Sequence, residues 1–275
     1  MGEGLFIPLE TRGFADKVLE ELEAERMHDG QTAHAQWPVL LGIDDEGRVE
    51  AWIATRPGCV VFAPGEARAL RQIPAAAAEY DAWVSRWGLD GIWNMPSVQQ
   101  PLRESQTGVW VLERVPVDEP VVQGNTAAFF RWDEERPGDD EIEATLRLLA
   151  ASRQELLGTL RRCLPDRLSV RPGGGQRTVE DIVRHVATVE WWYMSRIVLF
   201  PWPRDGEYPE DLEGLLAWTR HRVADRLRRL SDEERSRVSV PDPESGERWS
   251  ARKVLRRLIY HELYHLRQLR RALPV

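Results

Sequence analysis

The chain has 275 residues, 42% of them hydrophobic and 30% charged, and this composition excludes a disordered or fibrous protein. Its length predicts one large domain or two modest ones, and its formal net charge of −8 disfavours nucleic acid as a partner. No apolar run approaches the roughly 20 residues of a membrane span, so we expect no membrane partner.

Neither the cysteines nor the first residues indicate export. Cys59 and Cys163 are the two cysteines, too few for a disulfide framework and too far apart for a metal motif. The opening string "MGEGLFIPLE" has no basic segment followed by an extended apolar core, so we expect no secretory signal. The sequence therefore predicts a cytoplasmic protein.

The distribution of charge predicts two domains. Residues 1–125 hold 10 Lys and Arg against 20 Asp and Glu, whereas residues 126–275 hold 27 against 25. The hydrophobic periodicity also changes, from mixed to helical. We expect an α+β domain over residues 1–122, a linker over 123–137 and a helical domain over 138–275.

The first half mixes helical and strand-like patterns. Helical spacing covers Thr11–Met27 and Pro64–Trp87, and strand-like runs cover Trp37–Asp44, Arg48–Thr55, Cys59–Ala63 and Gly108–Val117. The "DEG" string between the first two strands is typical of a hairpin, so we predict a small antiparallel sheet with helices. Pro74 predicts a kink in the second helix, or its division in two.

The second half is helical after an apolar segment in the linker. The string "AAFFRW" at Ala127–Trp132 predicts docking onto a neighbouring element. Four long helices are predicted, over Asp139–Cys163, Thr178–Leu199, Pro209–Leu230 and Ser250–Leu273. Thr178 with Asp181 three residues later is a capping-box arrangement, and the hydroxyl of Ser250 can cap the last helix.

Three histidines have the spacing of a metal site. His261 and His265 lie four residues apart on a predicted helix, so both imidazoles face one side and can bind one ion. The third ligand must come from another helix, and His185 lies in the middle of one, on an apolar face. The alternatives are a core histidine bonded to a backbone carbonyl and a solvated pair on the surface.

The string "HELYH" also matches the HExxH signature of metallohydrolases. Glu262 would then be the general base for a metal-bound water. However, little chain follows the motif to supply a third ligand or a substrate cleft. In a helix, Glu262 also points about 100° away from His261, which favours a supporting or surface role.

Residues 138–275 resemble the DinB-like (DinB/YfiT) superfamily of metal-binding four-helix bundles. The resemblance rests on "RTVEDIVRHVATVEWWYMSRI" and "RWSARKVLRRLIYHELYHLRQLRR", which align with the second and fourth helices of the family. That superfamily includes bacterial thiol-dependent S-transferases and mycothiol-dependent maleylpyruvate isomerases. The resemblance implies a divalent metal held by His185, His261 and His265, and we expect that metal to be zinc or nickel.

The first half resembles the HicB-like fold more weakly. The resemblance rests on "GRVEAWIATRPGCVVFAPGEARALRQIPAAAAEYDAWV": two strands, a turn containing "PGC" and an alanine-rich helix. In that family the domain is often the antitoxin of a ribonuclease pair. The resemblance implies an α+β fold and a role in binding a protein or ligand.

Three further side chains are candidates for a substrate pocket. Trp192 and Arg196 follow His185 on the same helical stripe, and Arg257 precedes His261 by one turn. Each also has a structural interpretation: Trp192 as helix core, Arg196 as a salt-bridge partner, and the Arg256–Arg257 pair as part of a solvated face. The sequence identifies no catalytic residue.

Two functions of different classes follow from these observations. The first is a metal-dependent enzyme that transfers a low-molecular-weight thiol to or from a small electrophile, with the thiol activated at the metal. The second is a non-catalytic, antitoxin-like regulator whose acidic N-terminal domain binds a protein partner. A homodimer is compatible with either function.

Overall fold

The computed structural model of the protein describes residues 37–92, 108–124, 127–162, 167–171, 177–204 and 206–273. The predicted helix Thr11–Met27 lies outside these ranges, as do His28, His34 and Cys163.

The N-terminal region contains a four-stranded sheet in the order β3-β2-β1-β4. The strands are β1 (Trp37–Asp44), β2 (Val49–Ile53), β3 (Val60–Ala63) and β4 (Val109–Val117). β1, β2 and β3 pair antiparallel, whereas β4 lies parallel to β1. The sheet is therefore mixed, and the prediction of an antiparallel sheet is wrong for this pair. A parallel neighbour needs a long crossover, and helix α1 (Glu66–Arg86) lies between β3 and β4 in the chain.

Both faces of the sheet are covered. Val39 and Leu41 of β1 belong to the large core that also includes Ile73 of α1, whereas Leu40 between them packs on the other face with Phe130. This alternation follows from the two-residue period of a strand. Pro74 lies inside α1, which is continuous rather than divided in two.

The C-terminal region is helical. It comprises α2 (Arg131–Glu134), α3 (Asp139–Arg161), α4 (Val179–Ile197), α5 (Leu212–Arg228), α6 (Asp232–Ser236) and α7 (Ala251–Ala272). The four long helices are confirmed to within three residues at each end, and the short α2 and α6 were not predicted. α3 packs against α5 and α7, and α4 packs against the same two helices. Among the helices in the described ranges, none combines the length and apolar character that crossing a bilayer requires.

The two helices that carry the candidate metal ligands begin at well-formed caps. The Thr178 hydroxyl accepts a hydrogen bond from the Asp181 amide at 3.1 Å, and the Asp181 carboxylate accepts one from the Thr178 amide at 2.9 Å. The Ser250 hydroxyl accepts from the Lys253 amide at 3.1 Å. Such caps satisfy amides that the first helical turn leaves unpaired, and they fix where α4 and α7 start.

The sheet region packs closely against α7. Gly58, in the turn before β3, has φ +82°, and a Cβ there would lie 2.6 Å from Cγ2 of Ile259. Only glycine allows both this backbone conformation and this approach. The segment Ala127–Trp132 docks as predicted, because Phe130 is fully buried beside Trp52 and Tyr260.

A buried ion pair joins the predicted linker to α7. Asp133 is fully buried, and both of its carboxylate oxygens accept hydrogen bonds from Arg256, at 2.8 and 2.7 Å. Arg256 also donates to the Ala128 carbonyl at 2.7 Å. These hydrogen bonds of the Arg256 guanidinium therefore form only while residues 128–133 stay docked. The domain boundaries at 122 and 138 stay a prediction.

Replacing Asp133 should measure how strongly this docking stabilises the fold. Asp133→Asn leaves the buried charge of Arg256 without its counter-ion, so we expect a loss of about 3–5 kcal/mol in the free energy of unfolding. Urea denaturation of the full chain measures this loss. Asp232→Asn, which removes the exposed partner of Arg136, is the control and should change stability by less than about 1 kcal/mol. Equal effects of the two variants would contradict this account of the docking.

Candidate metal centre

Helix packing brings the three predicted histidines together. His185 lies on α4, and His261 and His265 lie one turn apart on α7. His261 Nε2 is 3.3 Å from His185 Nε2 and 3.1 Å from His265 Nε2. His261 and His265 are 5% and 4% exposed, and His185 is half-buried. The other described histidine, His221, is exposed on α5.

The spacing of the ring nitrogens fits one metal ion. One ligand atom from each histidine lies within 4.8 Å of the others. Tetrahedral zinc with Zn–N bonds of about 2.0–2.1 Å separates neighbouring nitrogens by about 3.3 Å. The observed separations of 3.3 and 3.1 Å match that value. The donor set of three imidazoles suits zinc or nickel.

A neighbouring amide orients His265. Its Nδ1 lies 2.9 Å from the side-chain oxygen of Gln268, which can only accept a hydrogen bond. Nδ1 therefore carries the proton, and Nε2 presents its lone pair towards the other two imidazoles. Partners of this kind fix the tautomer of metal-binding histidines in many proteins.

Burial keeps the three imidazoles neutral. Desolvation, aided by the charge of Arg177, lowers the pKa of His185 to about 4. Desolvation also lowers the pKa of His265 to about 4, against the opposing effect of Gln268. The pKa of His261 falls well below its usual value because the ring is buried beside the other two. The neutral form is the one that binds metal, so the site is in its binding form at neutral pH.

A cavity of about 470 Å³ opens beside the histidines. Its walls include His185 and His261, the aromatic side chains of Trp192, Tyr193 and Trp202, and Arg257. Trp192 and Arg257 were candidates from the sequence. The third candidate, Arg196, is not among the lining residues: its guanidinium lies over the Trp192 ring, 4.8 Å from the centroid.

The Arg256–Arg257 pair is buried, contrary to the solvated face that such a pair indicates in a sequence. Each residue is 6% exposed. Arg257 lies over the rings of Tyr193 and Trp249, with distances of 5.2 and 5.3 Å to the centroids, and its Nε is 3.4 Å from the Tyr193 hydroxyl. Aromatic rings and polar partners replace the water that the two guanidinium groups would otherwise bind.

Glu262 faces away from the histidines, into a cluster of charges between the helices. It is 1% exposed, and Arg153 donates to its two carboxylate oxygens at 3.1 and 2.9 Å. Arg220 donates to Glu262, and both arginines also donate to Glu190. Burial alone would raise the pKa of Glu262, but the two arginines outweigh that effect and lower it. The alternative of a surface position for Glu262 is therefore wrong.

Sequence reasoning missed several residues of this region. Tyr193 and Trp202 line the cavity, Gln268 orients His265, and Glu190 belongs to the charged cluster. Gln268 could have been found, because it lies three residues after His265 and hence on the same side of the helix. Trp202 follows the end of α4, where helical periodicity no longer predicts direction.

A substitution of Glu262 can distinguish a structural role of this carboxylate from a catalytic role. Glu262→Gln removes one of the two negative charges facing Arg153 and Arg220, so we expect a loss of about 3–5 kcal/mol of stability. Metal content should not change, because the imidazoles are untouched. Denaturation curves and metal analysis of the same sample measure both.

The control for this test is Glu213→Gln, which breaks the exposed Arg161–Glu213 pair and should cost less than about 1 kcal/mol. A Glu262→Gln protein with full stability and metal but no turnover would identify Glu262 as the general base instead.

Comparison of the sequence with protein-family models gives a match over most of the helical region. A family model described as the DinB superfamily matches residues 148–269, which include all three histidines. No curated protein and no solved structure matches the chain. The HicB-like resemblance of the first half stays a prediction. The larger part of the helical region is therefore similar to the DinB superfamily.

Proposed function

We propose that the protein is a metal-dependent enzyme that transfers a low-molecular-weight thiol to or from a small electrophile. The observation that supports this most directly is the convergence of three neutral imidazoles, two of which, His185 and His261, line an open cavity. We also propose that the four long helices form the four-helix bundle of the DinB superfamily.

In this proposal His185, His261 and His265 hold one divalent ion, zinc or nickel. Three protein ligands are typical of catalytic sites, which keep a coordination position for an exogenous ligand. A divalent ion bound there would lower the pKa of an incoming thiol and so supply a thiolate nucleophile. Gln268 holds His265 in the tautomer that binds, and the cavity gives both reactants access to His185 and His261.

The described cysteine is unsuited to act as the nucleophile. Cys59 is buried, donates to the Ala76 carbonyl at 3.5 Å and lies in the sheet region. Burial raises the pKa of its thiol to about 12, so it stays protonated at neutral pH. The proposal therefore takes its sulfur nucleophile from the substrate.

The two rival functions have less support. A metallohydrolase would need Glu262 as its general base, but the Glu262 carboxylate already accepts hydrogen bonds from Arg153 and Arg220. For the regulator, support comes from the acidic character of residues 1–125. Metal binding without any turnover would favour the regulator.

Metal content tests the ligand set. We expect about one equivalent of zinc or nickel per chain, and its loss in His185→Ala, His261→Ala and His265→Ala, because two imidazoles form only a bidentate site. His221→Ala removes an exposed histidine of α5 and should keep the metal. Elemental analysis after gel filtration measures these contents. Full metal content in any of the three histidine-to-alanine variants of the site would contradict this ligand set.

Turnover tests the chemistry. We expect the metal-loaded protein to accelerate the reaction of cysteine or 2-mercaptoethanol with monobromobimane or 1-chloro-2,4-dinitrobenzene. The acceleration should disappear with a chelator, return when metal is added back, and be absent in His261→Ala. Protein that holds its metal yet accelerates none of these pairs would contradict the proposed transfer.

A further inference from the structure

The cavity beside the histidines runs from an exposed mouth to a buried inner end. Trp202, 53% exposed, and Thr188, also exposed, lie at the mouth. Trp192 is half-buried, whereas Arg257 and His261, at 6% and 5% exposure, lie at the inner end. A volume of about 470 Å³ is in the range of small-molecule sites.

The two ends of the cavity differ in chemistry. Towards the mouth the walls are aromatic and aliphatic, formed by Trp192, Trp202 and Val189. At the inner end the guanidinium of Arg257 lies one helical turn from His261. Among the described lining residues no side chain carries a carboxylate. The inner end therefore presents a guanidinium to the cavity, with Glu247 as its ion-pair partner at 3.6 Å, and a divalent ion would add positive charge beside it.

Neighbouring side chains hold Arg257 and Trp192 in position. Trp249 lies 5.3 Å from the Arg257 guanidinium and packs edge-on against Trp192, with ring centroids 5.2 Å apart. Arg196 covers the Trp192 ring from another side, 4.8 Å from its centroid. Tyr193 and Glu247 give Arg257 polar partners, at 3.4 and 3.6 Å. Such pre-organisation lowers the entropy lost when a ligand binds.

We propose that this cavity selects a small molecule with a flat apolar body and a carboxylate, whose carboxylate pairs with Arg257 beside His261 and whose body lies between Trp192 and Trp202. The inference rests on the proposed function and assigns this molecule as the electrophile. A guanidinium pairs with a carboxylate through two parallel hydrogen bonds, and indole rings favour flat partners. The carboxylate would then hold the apolar body at a fixed distance from the site where the thiol is activated.

Calorimetric titration of the full, zinc-loaded chain tests this selection without turnover. The probes are trans-cinnamate, its neutral analogue cinnamyl alcohol, and butyrate, which keeps the carboxylate but lacks the flat body. We expect cinnamate to bind at least about tenfold more tightly than either analogue, since one charge-assisted pair commonly contributes that much. Equal affinity for cinnamate and cinnamyl alcohol, or no binding of cinnamate, would overturn the proposal.

Substitutions in the cavity identify which residues produce the preference for cinnamate. Arg257→Gln should remove the preference for cinnamate, Arg257→Lys should restore part of it, and Trp192→Leu should weaken cinnamate but not butyrate. Arg222→Gln is the matched control, because Arg222 lies over Trp218 on the exposed surface of α5, 4.7 Å from the ring centroid. A preference that survives Arg257→Gln with unchanged melting temperature would overturn the assignment.

Zinc content, measured on each sample, separates this proposal from the proposed function. Zinc retained with no preference for cinnamate refutes the carboxylate site alone. Protein that holds neither zinc nor nickel refutes the metal-dependent function. The same titrations on zinc-free protein then still decide whether Arg257 selects carboxylates.

Discussion

Four charged side chains buried between the four long helices fix how those helices meet. Arg153 of α3 and Arg220 of α5 both donate to Glu190 of α4 and Glu262 of α7, so two positive charges pair with two negative ones. Rotating or sliding one helix would leave a buried charge unpaired, at a cost of about 3–5 kcal/mol. Because α4 and α7 also carry the candidate metal ligands, the same cluster sets the distance at which those imidazoles face each other.

The parts of this arrangement that repeat with the helical period could be predicted from the sequence. Apolar spacing and the caps at Thr178 and Ser250 gave the limits of α4 and α7 to within two residues. The four-residue spacing of His261 and His265 placed both on one side of a helix. The position of His185 on an apolar face made it the candidate third ligand, because a polar ring there needs a partner, but a core histidine bonded to a backbone carbonyl was an equal alternative.

Features that depend on contacts between residues far apart in the sequence could not be predicted. The parallel pairing of β1 with β4 is set by how α1 crosses the sheet, which no local pattern encodes. The Arg256–Arg257 pair of α7 indicated a solvated face, yet Arg256 is 6% exposed, because Asp133 and the Ala128 carbonyl of the docked linker accept its hydrogen bonds. Such partners lie more than a hundred residues away in the chain.

In the proposed site, three imidazoles hold one ion and leave a coordination position for a thiol. X-ray absorption at the zinc edge, recorded before and after adding 2-mercaptoethanol, measures both parts of this arrangement. We expect three imidazole nitrogens at about 2.0–2.1 Å in both spectra and one sulfur at about 2.3 Å only after the thiol is added. Zinc without an imidazole shell, or a coordination sphere that the thiol leaves unchanged, would contradict the proposed site.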